Sequence, residues 1–169
     1  MEGRAHLAAG TLAGVTTAAV AFQGGWADTW AKAATLGALC TGFALFPDLD
    51  TASRPQRWAA RALVLALGWL AASGLWRAAA LLGLAGLLPL LTHHRGWTHR
   101  WWAVPLVPFA ALGLWHALAG GGFGGAVSAP AAAGRMLAER AADWGPAYLA
   151  MAGGYALHLM LDRIRLRRC

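Results

Sequence analysis

Six apolar stretches run through this chain, parted by short polar islands. A helix needs about 20 apolar residues to cross the hydrocarbon of a bilayer, with a range of about 17–25. Counted on that template, the runs predict spans at about His6–Gln23, Trp30–Phe46, Trp58–Trp76, Ala78–Leu91, Trp102–Leu118 and Pro146–Leu161. Pro47 ends the second, because proline cannot continue a helical hydrogen-bond ladder. The fourth is short enough to be partly sunk or tilted. Between the last two, Pro130–Trp144 reads as a short helix on the membrane surface, with Pro130 at its start and Arg135 and Glu139 four apart.

Composition agrees. Hydrophobic residues make up 59% of the 169 and charged ones only 12%, against about 25% charged in a soluble domain. The expected fold class is therefore all-α, a polytopic membrane protein of about six transmembrane helices with a short interfacial helix. Its length suits a single transmembrane domain over residues 1–169. The first run begins with Arg4 and His6 and is expected to be retained rather than cleaved as a signal peptide. Cys40 and Cys169 have neither the number nor the spacing of a disulfide framework or zinc knuckle.

The formal net charge is +7. Its arginines lie between apolar runs, so membrane topology explains them better than nucleic acid, which is not expected as a partner. Six spans put both ends on one side. That side would carry ten basic residues, Arg4, Arg54, Arg57, Arg61, Arg95, Arg100 and the tail arginines 163, 165, 167 and 168, against four on the other. The positive-inside rule then makes both termini cytoplasmic. Membrane lipid is the expected partner, with anionic head groups on the basic tail.

Orientation leads to a site. His6, Asp48, Asp50, His94, His99, His158 and Asp162 all fall at the inner face, although they span more than 150 positions. Intramembrane and interfacial carboxylates and imidazoles are costly without a role. Together they are the donors that hard and borderline divalent metals prefer. His158 and Asp162, four apart, share one face of a helix. Asp48-Leu49-Asp50, just past a helix-ending proline, is expected to be extended. His94 and His99 bracket a turn containing Gly96. His116 falls near the outer face and is expected to be no ligand. Arg95 and Arg100 stand beside the site, where they suit a phosphate or carboxylate on a substrate.

The pieces Ala5-His6-Leu7, Leu45-Phe46-Pro47-Asp48-Leu49-Asp50, His94-Arg95-Gly96-Trp97-Thr98-His99 and Gly154-Tyr155-Ala156-Leu157-His158-Leu159-Met160-Leu161-Asp162 together resemble the membrane-bound, metal-dependent hydrolases of bacterial inner membranes, which include a LexA-regulated member. The resemblance covers nearly the whole chain. It implies a divalent metal, zinc first with manganese or iron as alternatives, as one or two ions held by His6, Asp48, Asp50, His94, His99, His158 and Asp162. Asp50, His99 and Arg95 would be the catalytic residues. The chain departs from the family pattern at Arg100, where serine is usual, at Thr51, where histidine is common, and in the tail after Asp162.

The expected function is hydrolysis of an ester, foremost a phosphoester, of a lipid or lipid-linked substrate at the cytoplasmic face by metal-activated water. The alternative is a non-catalytic membrane protein whose metal is structural. A metal transporter fits poorly, because the spans carry almost no polar residues beyond Thr16, Thr17, Thr35, Thr41 and Ser73. A zincin-type protease lacks its HExxH helix.

Overall fold

The computed structural model describes residues 2–50, 54–90, 97–118 and 130–166, with the side chains of 2–6, 49–50, 54–55, 85, 87–90, 117–118, 130–143 and 164–166 outside the description. Among the described residues every regular element is helical: α1 (Glu2–Gln23), α2 (Trp30–Leu45), a 3-10 turn (Phe46–Asp50), α3 (Arg54–Ala72), α4 (Trp76–Leu90), a second 3-10 turn (Trp97–His99), α5 (Ala103–Leu118) and α6 (Pro130–Leu166). All-α is thus the observed class.

Local chemistry sets the boundaries. Gly25 (φ 74°) and Gly74 (φ 73°) take the left-handed conformation that ends a helix at no steric cost. After α1 the Trp26 amide reaches back to the Ala21 carbonyl (2.9 Å), and after α3 Leu75 does the same to Leu70 (2.9 Å). Thr29 caps α2, its hydroxyl accepting from the Lys32 amide at 3.3 Å.

Two expectations are corrected. Asp48-Leu49-Asp50 is not extended but lies in the 3-10 turn Phe46–Asp50; the fixed φ of Pro47 suits the start of a helical turn as well as extended chain. The short surface helix is not separate either. Pro130–Trp144 and the sixth run form one helix of 37 residues that continues through Pro146, which there costs one hydrogen bond without breaking the axis.

Length is the third difference. Among the described residues, no helix is both long and apolar enough to cross a membrane. At 1.5 Å per residue, α2, α4 and α5, with 16, 15 and 16 residues, reach only about 22–24 Å, short of the roughly 30 Å hydrocarbon core. On the longer α3, Arg57 and Arg61 interrupt the apolar run.

Packing is inverted relative to a water-soluble protein. The buried set is dominated by small residues, such as Ala21, Ala33, Ala44, Ala103 and Ala150, together with Tyr155 and the polar Thr98 and His158. Large apolar side chains point outward instead, including Leu12, Leu65, Trp69, Trp76 and Trp115. Small residues inside and bulky apolar ones outside is how helices pack when lipid rather than water surrounds them.

The centre is α2, which packs on α1 and on α6. Gly14 and Gly37 bring α1 and α2 into backbone contact, and Gly154 of α6 lies directly against the Cys40 carbonyl of α2. The Thr41 hydroxyl lies 3.1 Å from the carbonyls of both Gly37 and Gly10, tying the same pair. α5 leans on α6, while α3 and α4 pair as a hairpin beside the first 3-10 turn. This arrangement aims the last turns of α2 and α6 at the two 3-10 turns.

Candidate metal centre

The site begins with His158. It sits on α6 one turn beyond Gly154, and the close approach of that glycine to α2 places its ring over the end of the neighbouring helix. Nδ1 lies 2.8 Å from the Ala44 carbonyl. A carbonyl only accepts, so Nδ1 carries the proton and donates. The lone pair of neutral His158 must then be on Nε2.

That nitrogen faces carboxylates. Asp48 Oδ1 lies 3.6 Å away and Asp162 Oδ2 3.9 Å. Asp48 comes from the 3-10 turn after α2, and Asp162 from the next turn of α6. The fourth member is His99, whose Nε2 lies 3.5 Å from Asp162 Oδ2 and whose ring meets that of His158 edge-on at 5.6 Å. One donor atom each from Asp48, His99 and His158 fits within 4.8 Å of the others.

The spacing is informative. An imidazolium paired with a carboxylate closes to about 2.7–2.9 Å. Two donors sharing a tetrahedral zinc, with bonds of about 2.0–2.1 Å, stand about 3.3 Å apart. The 3.6 Å between His158 Nε2 and Asp48 Oδ1 is nearer the second geometry. Two carboxylates and two neutral imidazoles would also carry a charge of −2, which a divalent cation balances in this apolar setting. On donor type, spacing and the imposed tautomer, these residues fit a divalent metal.

Access is one-sided. His158 is fully buried, whereas the His99 side chain is 11% exposed and those of Asp48 and Asp162 are about a fifth exposed. Arg163, the residue after Asp162, places its guanidinium 5.1 Å over the Trp101 ring.

Two residues outside the expected ligand set support the centre. The Tyr155 hydroxyl donates to the Thr98 carbonyl at 2.7 Å, both residues being fully buried, and pins the 3-10 turn that carries His99 to α6. The Thr98 hydroxyl lies 3.1 Å from His99 Nδ1. The signal for Tyr155 was its place three residues before His158, which puts both on one face of a helix.

Of the seven expected ligands, the structure brings together Asp48, His99, His158 and Asp162. His6 lies in the first turns of α1 and Asp50 ends the first 3-10 turn, but their side chains are outside the description; His94 and Arg95 fall outside the described residues altogether. His116 packs edge-on against Trp144 with ring centroids 5.5 Å apart.

A family model described as YdjM inner membrane protein matches residues 1–167. Neither the curated proteins nor the solved structures contain a match.

Proposed function

This chain belongs to the YdjM inner membrane protein family, and from that premise we propose that it is a metal-dependent hydrolase acting on an ester, foremost a phosphoester, of a lipid or lipid-linked substrate. The supporting observation is the open-sided convergence of Asp48, His99, His158 and Asp162. Asp48, His99 and His158 hold the metal. Bound there, a divalent cation supplies Lewis acidity and activates water near neutral pH. Asp162 would take a proton from the attacking water and return it to the leaving oxygen. The water oxygen joins phosphorus or carbonyl carbon as the ester bond to that leaving oxygen breaks.

His6, Asp50 and His94 are proposed as further donors, enough for a second ion, and Arg95 as a contact for the substrate's anionic group. Zinc is the first choice of metal. The outward apolar surface and family membership support a multi-pass arrangement in the inner membrane. There the short helices are met by local bilayer thinning and both termini face the cytoplasm.

The experiment uses protein in lipid nanodiscs, stripped with chelator and reloaded with zinc or manganese. Release of product from phosphoester lipids and generic phosphodiesters should follow metal loading. His158→Gln and Asp48→Asn should lose at least the roughly 10–100-fold that even outer contacts to a metal are worth. Metal bound stoichiometrically with no hydrolysis of any ester would convert the centre to a structural clamp and overturn the enzymatic reading.

A further inference from the structure

We infer that the apolar cavity between α4 and α5 takes one hydrocarbon chain of the substrate and thereby sets its ester over the Asp48–His99–His158 cluster. The inference rests on the hydrolytic reading above and names the substrate class for it: a lipid with a hydrocarbon chain next to its ester.

The cavity holds about 520 Å³, and every described residue lining it is apolar. That volume lies inside the roughly 300–1,000 Å³ of small-molecule pockets. That is room for a hydrocarbon chain.

Continuity with the metal centre identifies the occupant. Phe46 and Trp97 are walls of the cavity. Phe46 opens the 3-10 turn that bears Asp48, and Trp97 opens the one that ends in His99. The two turns that supply donors to the metal centre therefore also supply the aromatic wall of the cavity. Phe46 is itself braced by Phe43 (5.8 Å) and Tyr155 (5.9 Å), and Trp97 stacks on Trp102 (5.8 Å). A chain lying along this wall brings the group at its end to the donors.

The other side opens toward lipid. α4 packs mainly on α3 and meets α5 sparsely. The lining residues Leu84 and Leu106 are more than half exposed, so the cavity runs into the outward apolar surface, and a chain can enter sideways without crossing water. A second, mainly apolar cavity of about 610 Å³ lies between α1, α2 and α6; neither cavity is lined by Asp48, His99, His158 or Asp162, but this one takes no wall residue from either 3-10 turn. It serves as the internal control.

The test is photolabelling of zinc-loaded protein in nanodiscs with dodecyl phosphate bearing a terminal diazirine, and separately with a farnesyl phosphate analogue. Label should map to residues 81–86 and 106–114. Unlabelled dodecyl phosphate should compete and inorganic phosphate should not. Filling the cavity with Ala111→Phe, or with the milder Ala111→Leu, should cut labelling about ten-fold while zinc content stays unchanged. Preference between the two probes tells an acyl from an isoprenoid source.

Label spread over the lipid-facing surface, or sited in the α1–α2–α6 cavity, would overturn the inference while zinc binding still supports the hydrolytic reading. Competable label in the α4–α5 cavity of a protein that takes up no zinc would do the reverse: it would keep the chain site and remove the hydrolytic reading.

Discussion

Gly154→Ala tests whether helix packing builds the metal centre. A Cβ at this position would run into the Cys40 carbonyl oxygen, with the carbonyl carbon at 2.9 Å and the Ala44 nitrogen at 3.2 Å, all of them rigid backbone. Ordinary contact starts about 3.4 Å, so α6 must retreat from α2. Overpacking of this kind costs about 1–3 kcal/mol, and the obstacle here argues for the upper part. Alanine's better helix propensity returns about 1 kcal/mol. The net loss is then about 1–2 kcal/mol, or a fall in Tm of about 2–8 °C at about 2–4 °C per kcal/mol for this chain length. The site suffers more than the fold, because the retreat stretches the 2.8 Å bond that sets the His158 ring against Ala44. Loss of such an orienting contact weakens metal binding about 10–100-fold. Gly153→Ala is the matched control, since its Cβ meets nothing within 4 Å. Tryptophan-fluorescence melting in detergent and zinc competition against a chromophoric chelator read the two effects. If Gly154→Ala matched Gly153→Ala in both, the packing argument would fail.

Tyr155→Phe keeps the ring contact with Phe46 but strips the buried Thr98 carbonyl of its donor; it should cost about 1–3 kcal/mol, measured by melting, and weaken zinc binding through the loosened His99 turn. In the loop before α2, the hydrogen bond from Lys32 holds the Asp28 carboxyl below its ordinary value. Its contribution to stability is complete above the usual carboxylate range and lost as pH falls through the lowered value. Because the pair is fully exposed, Asp28→Asn should leave Tm at pH 7 unchanged; a clear drop would show that the loop matters more than its exposure implies.

Much of this fold was legible because its punctuation is chemical. Pro47 bounds α2 within a residue of the expected span. Residue type and the pattern of polar islands grouped Asp48, His99, His158 and Asp162, 114 positions from first to last, before any contact was known. Other features left weaker traces. Proline's φ serves both a 3-10 turn and an extended strand, so Pro47 alone did not decide the backbone of Asp48. Pro146 reads as a boundary in sequence but is absorbed inside α6, where packing on α2 holds the helix together. The role of Tyr155 depends on a carbonyl 57 positions away, which sequence spacing does not reveal. The α4–α5 cavity was not visible either, because its walls are ordinary leucines, alanines and aromatics.

X-ray absorption at the zinc edge of zinc-loaded, detergent-purified protein measures the coordination directly. The account predicts two imidazole nitrogens and one or two carboxylate oxygens at about 2.0–2.2 Å, with the imidazole signature reduced in both His99→Ala and His158→Ala. An all-oxygen sphere without imidazole scattering, or one unchanged in either variant, would contradict it.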